Sequence, residues 1–139
     1  MKYLSNMAAL MTLLVGSLVL SSVAKADHPA AYIISPAHGE VVSSPVLVRF
    51  GLRGMGVAPA GTDRANTGHH HLLIDVDELP ALDQPVPSDA NHRHFGKGQT
   101  EVELTLEPGE HTLQLLLGDF AHIPHNPPVL SEKITITVE

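Results

Sequence analysis

The residues in this sequence best suited to chemistry are histidines, and they come in groups. Thr67-Gly68-His69-His70-His71-Leu72-Leu73-Ile74-Asp75 places three adjacent imidazoles at the polar start of an apolar run. His92-Arg93-His94 sets two histidines two apart, and Gly118-Asp119-Phe120-Ala121-His122-Ile123-Pro124-His125 sets two more three apart, with Pro124 restraining the turn between them. Neutral imidazole suits Zn(II), Cu(II) and Ni(II). On an extended strand His69 and His71 point to one face and can share an ion. Asp119 and Asp75 are available as ligands, or as acceptors that orient an imidazole through its other nitrogen. The candidate metal ligands are His69, His70, His71, His92, His94, Asp119, His122 and His125. Each group also has a structural alternative: His70 as a core-edge residue bonded to backbone, and the paired histidines as solvated surface. His111 alternates with leucines and reads as structural, His28 and His38 as solvated.

Other chemistries are disfavoured. There is no cysteine, so thiolate metal sites, thiol nucleophiles and disulfides are excluded. No G-x-S-x-G elbow and no Gly-rich phosphate loop occurs. No organic cofactor is indicated, and no catalytic residue is singled out.

The chain begins like a secretory signal peptide. Lys2 supplies a positive start, an apolar run extends from Met7 to Leu20, and Ala24-Lys25-Ala26 makes a small-residue A-x-A site. The run is shorter than the roughly 18 residues of a spanning helix, so cleavage rather than anchoring is expected. Residues 1–26 are thus assigned to a signal peptide and 27–139 to one domain, exported to the periplasm and without a stable membrane anchor. Loss of Lys2 and Lys25 leaves six basic residues against 15 acidic ones, a formal charge of −9 with histidine neutral. That balance argues against nucleic-acid binding. Met55 is the one methionine left after residue 26, so a methionine-rich cuprous site is not expected.

The elements that must position the histidines are strands. Apolar residues alternate in short blocks punctuated by Pro and Gly, and no helical period is evident. Ala31–Ser35, Val46–Leu52, His69–Val76, Gln99–Leu106, His111–Leu117 and Lys133–Val138 read as strands, with Val41-Val42 a short extended piece. Period two puts His70, Leu72, Ile74 and Val76 on one face of the central strand and His69, His71, Leu73 and Asp75 on the other. Glu107-Pro108-Gly109-Glu110 reads as a hairpin turn pairing the strands on either side. Arg53–Gly68 is broken by glycines and reads mostly as loop. Asp77–Gly98, with Pro80, Pro85 and Pro87, and Gly118–Glu132 are long connections of the kind that is often functional; the first could hide a short edge strand. The expected fold is all-β, an immunoglobulin-like antiparallel β-sandwich of about seven short strands with long His/Pro-rich loops. If His69–Val76 runs antiparallel to His111–Leu117, all three histidine segments meet at one end of it.

Taken together these motifs resemble the bacterial domain-of-unknown-function family 4399. The resemblance is carried by Thr67–Asp75, by His94-Phe95-Gly96-Lys97-Gly98-Gln99-Thr100-Glu101, by Pro108–Asp119, by His122-Ile123-Pro124-His125 and by Pro127-Pro128-Val129. It implies a small exported domain and supplies no activity. More loosely, the chain is similar to copper-carrying sandwiches of the bacterial periplasm, which present histidines at one end. It departs from copper–zinc superoxide dismutases in lacking a disulfide and in the order of its histidines. The function expected first is binding of Cu(II) or Zn(II) at one pole, in a protein that buffers, delivers or senses the ion. The alternatives are an immunoglobulin-like interaction module with structural histidines, whose partner would be another envelope protein, and a copper or zinc metalloenzyme.

Overall fold

The computed structural model describes residues 28–139; the expected signal peptide lies outside them. The described chain is all-β. Its strands are β1 (Ala30–Ser35), β2 (Val41–Val42), β3 (Val46–Arg53), β4 (Gly56–Val57), β5 (Thr67–Ile74), β6 (His92–His94), β7 (Glu101–Leu104), β8 (Gly109–Gly118) and β9 (Ile134–Val138). A three-stranded sheet runs β1-β3-β7, and a six-stranded sheet runs β2-β9-β8-β5-β4, with β6 also pairing β5. All pairs are antiparallel except β2 with β9 and β4 with β5.

The alternation seen in the sequence makes the core between the sheets. Val46, Val48 and Phe50 face it from β3, Leu113, Leu115 and Leu117 from β8, and Ile134, Ile136 and Val138 from β9. Leu72, Leu113, Leu115, Leu117 and Ile136 lose all contact with water. Each such side chain contributes about 1.5–3 kcal/mol relative to remaining exposed. The β-branched and aromatic residues among them, Val46, Val48, Phe50, Ile134, Ile136 and Val138, suit a pleated, half-buried surface.

The expected hairpin at Glu107–Glu110 does not form. The chain crosses between sheets there, so that β7 pairs with β3 while β8 pairs with β5 and β9. Inward-facing Val102 and Leu104 satisfy the same alternation whether their strand lies beside β8 or opposite it, and so the sequence pattern does not distinguish the two. The crossing is fastened by His111. Its Nδ1 lies 2.7 Å from Asp75 Oδ2 and its Nε2 donates to the Glu107 carbonyl at 2.9 Å. Asp75 Oδ1 also accepts from the Thr112 amide at 2.8 Å.

Strand β5 is buried on both faces. Leu72 and Ile74 join the core between the sheets, while Leu73 packs on the outer side with Val86 and Leu116. The two long connections supply this outer cover. Val86 comes from the first. The second runs beside the end of β8, where the Leu117 amide donates to Val129 O and the Ser131 amide to Leu115 O, both at 3.0 Å. Val76 departs from its expected face. Asp75 is left-handed, with φ 55°, which turns the chain over and places Val76 against the outer cluster instead of beside Ile74.

The Asp75 carboxylate, and then the Glu107 carbonyl, hold the His111 pKa above its usual 6.5 against the effect of burial. The sign follows. Tighter proton binding in the folded state adds stability that is complete below pH 6.5 and is lost as pH rises through the raised value. Asp75→Asn keeps the left-handed backbone and an acceptor for Thr112 but removes the charge. Urea unfolding across pH 5.5–9 is expected to show a loss of about 1 kcal/mol or less at the acid end, screened because Asp75 is exposed, and none at the alkaline end.

Candidate metal centre

Parity on β5 sends His69 and His71 to the outer face, and pairing decides what they meet there. On β8, His69 lies opposite Gly118 and His71 opposite Leu116. On the other edge of β5, His71 lies opposite His94 of β6. Cross-strand partners on one face sit within side-chain reach, and the His71 and His94 rings are 5.2 Å apart, centroid to centroid.

The fourth ring comes from the turn after β8. Asp119 builds that turn: its Oδ1 accepts from the Ala121 and Ile123 amides at 2.8 and 2.9 Å, and its own amide donates to Ile123 O at 2.8 Å. His122 sits inside this loop with φ 68°, a conformation that the surrounding bonds enforce. The His122 carbonyl also accepts from the Val86 amide at 2.9 Å, tying the turn to the other long connection. His122 Nδ1 then lies 3.0 Å from His69 Nε2.

His69, His71, His94 and His122 each offer a ring nitrogen, and the four lie within 4.8 Å of one another. Four nitrogens around one Zn(II) or Cu(II) at about 2.0–2.1 Å stand about 3–4 Å apart, so closure on an ion needs only a small contraction. His69 and His71 are buried, His122 is half-buried and His94 is exposed, which leaves the group open on one side. Buried His69 Nδ1 and His71 Nδ1 have no hydrogen-bond partner.

The electrostatics keep His69, His71 and His94 neutral at neutral pH. Burial, then the neighbouring His94 and His122, lower the His69 pKa to about 4. Burial, then His69, His94 and His122, lower that of His71 to about 3. His94 is lowered by burial and by His122. Asp119 opposes this at His69 but is outweighed. Ligation at neutral pH would displace no proton from these three rings.

Two glycines make room. A Cβ on Gly118 would lie 2.6 Å from His71 Cε1, and one on Gly96 would overlap the His94 ring. Neither glycine stood out in the sequence, although Gly118 closes an otherwise bulky strand.

The other candidate ligands fall outside the group. His70 points to the opposite face, into the core, where its ring centroid is 5.3 Å from that of Phe50 and neither nitrogen has a partner. His92 turns to Asp89, with Nδ1 2.9 Å from Oδ1. Asp119 spends its carboxylate on the turn. His125 passes to the far side of the turn and packs against Gly68. Asp75 serves His111.

A family model described as a domain of unknown function (DUF4399) matches residues 48–139, which include all four histidines. No curated protein and no solved structure matches the chain.

Two substitutions separate the site from the fold. Gly96→Ala forces the exposed His94 ring aside while leaving the core untouched. Metal affinity is expected to fall with little change in melting temperature, as checked by titration calorimetry and thermal denaturation. His70→Leu removes two unpaired buried nitrogens, each carrying a desolvation cost of about 1–3 kcal/mol. Urea unfolding is expected to show equal or greater stability, with metal affinity unchanged; a clear loss of stability would mean that a His70 nitrogen has a bonding partner after all.

Proposed function

The chain belongs to the DUF4399 family, which settles its kinship and assigns no activity, and we propose that it is an exported protein that binds one Cu(II) or Zn(II) ion through His69, His71, His94 and His122. The observation that carries this reading is the meeting of four imidazole nitrogens within 4.8 Å. Packing basic rings so closely has a cost. Burial depresses their proton affinity, and two buried nitrogens go without hydrogen bonds. A metal ion is the ligand that turns that arrangement into a favourable one, because it takes one lone pair from each ring where the four nitrogens converge.

The donor set narrows the choice of ion. Four imidazoles with no thiolate and no carboxylate suit borderline divalent ions and not Mg(II) or Ca(II). Among those ions, affinity for nitrogen sites rises to Cu(II) and falls again at Zn(II). The site's open side and the excess of acidic over basic residues favour arrival of a cation from solvent. Carriage, buffering or sensing of the ion in the periplasm fits a site that is formed by the fold yet reachable. An interaction module with structural histidines is the competing reading, and the His69–His122 ring contact at 3.0 Å is what favours it.

Titration calorimetry with Cu(II) and Zn(II) at neutral pH decides between them. One tight equivalent is expected, tighter for Cu(II), lost in His69→Ala/His71→Ala and strongly weakened in His122→Ala. Weak binding of several ions that survives both variants would sink the metal reading and leave the interaction module.

A further inference from the structure

Strand β1 ends the three-stranded sheet, and among the described residues nothing pairs its second side. Hydrogen-bond parity shows which groups it offers there. The Phe50 amide donates to Thr100 O at 2.7 Å, which turns Phe50 toward β7. Phe50 therefore exchanges no bonds with Ile33, its neighbour on β1. Bonded and unbonded pairs alternate in an antiparallel ladder, so Ala31 and Ile33 both direct N–H and C=O away from β3. A groove of about 710 Å³ lies beside them, lined also by Leu130, Ser131 and Ile134. Exposed sheet edges are ordinarily blunted by charge, proline or brevity. β7 carries Glu101 and Glu103, β6 carries Arg93, and β2 and β4 have two residues each. β1 has six residues and no charge. Tyr32 and Ile34 on its outer side are 46% and 58% exposed.

We propose that this edge pairs with the same edge of a second copy of the chain, antiparallel about a twofold axis at Tyr32. That register sets Ala31 of each copy against Ile33 of the other, and both residues exchange all their outward bonds. A shift by two residues either way sets one of them against Pro29, which has no N–H, or against Ser35, beyond the bulge that follows Ile33. The Tyr32 ring leaves the approach open. It lies back over Gly51 of β3, where a Cβ would overlap it. Charge agrees with the twofold. Arg53 lies opposite Ala30 and lines the groove. Glu40 lies in the turn just after β1, where its Oε2 accepts from the Ala37 amide at 2.7 Å. Antiparallel pairing brings the start of one β1 beside the end of the other, and so sets Arg53 of each copy toward Glu40 of the other. The strand's own sequence thus supplies both the register and the charge match, which favours a copy of itself over an unrelated extended segment. β1 lies in the sheet that holds none of the four clustered histidines, so the pairing stands whether or not they bind metal.

Sedimentation equilibrium of the purified protein is the first test, with a chelator present so that no ion bridges exposed His94 side chains. A reversible monomer–dimer equilibrium is expected. Ile34→Lys, beside Ala30 of the other copy, adds a cation near Arg53 and is expected to shift the population to monomer, with the circular dichroism of the fold unchanged. The chain has no cysteine, so a single introduced thiol reports the register. In Tyr32→Cys the two thiols would sit at the axis, with a Cα separation of about 4.5 Å, and mild oxidation is expected to link the dimer covalently. In Ile34→Cys they would stand about 13 Å apart along the strands and are expected to stay free. A protein that is monomeric at every concentration would overturn the proposal and leave the edge to an extended segment of a different protein. So would a dimer that Ile34→Lys does not weaken, or one that links through position 34 and not through position 32. The first of these readings needs no variant, and so it holds even if a substitution prevents folding.

Discussion

Strand β5 is paired along both edges and covered on both faces, so each of its side chains must be apolar, neutral or satisfied. Leu72, Leu73 and Ile74 meet that demand by being hydrocarbon. His69 and His71 meet it by staying uncharged, since burial is the largest cause of their lowered pKa values. The rest of the histidine end follows from this one strand. Its pairing with β8 brings Gly118 under the rings and delivers the chain into the turn that carries His122. Its pairing with β6 delivers His94. A charged residue at either position on the strand would carry a desolvation cost of several kcal/mol, whereas imidazole can be basic in character and neutral in fact.

How much of this is legible in the sequence depends on which force decides each feature. Parity is local, and it correctly separates His69 and His71 from His70. The strands are likewise visible, because alternation and proline punctuation are local. Pairing is tertiary. The three segments do converge, with β5 antiparallel to β8, yet the hairpin expected between the flanking strands is a crossing between sheets. His94 arrives through β6, the short edge strand for which the first long connection leaves room. The outer cover of β5 is illegible for the same reason: Val86 and Leu130 lie in proline-broken stretches whose burial depends on what they fold against. Val76 shows a smaller failure. One left-handed residue, Asp75, resets the count.

The core and the histidine cluster are built from different residues. The buried apolar set between the sheets draws on β1, β3, β5, β7, β8 and β9 and includes none of the four clustered rings. Small metal-dependent domains behave differently, because there the ion supplies the folding energy itself. Here the strands fix the positions of His69 and His71 beforehand, the Asp119 turn fixes His122, and only His94 lies on a short exposed edge. Most of the ordering that a bound ion demands is met by hydrophobic burial and backbone pairing elsewhere.

That uneven exposure has a kinetic side. Two residues of the cluster are buried, one is half-buried and one is exposed, so an ion bound as proposed would have its approach from the His94 side. Exchange would proceed one ligand at a time, with His94 the first to bind and the first to let go. A competing donor attacking from solvent could replace that ring while three others still held the ion. In the proposed metal-binding reading, such a stepwise path would allow rapid transfer of the ion without its release into solvent, even where equilibrium affinity is high. The three-residue strand β6 would then govern the lifetime of a complex whose strength is set by β5.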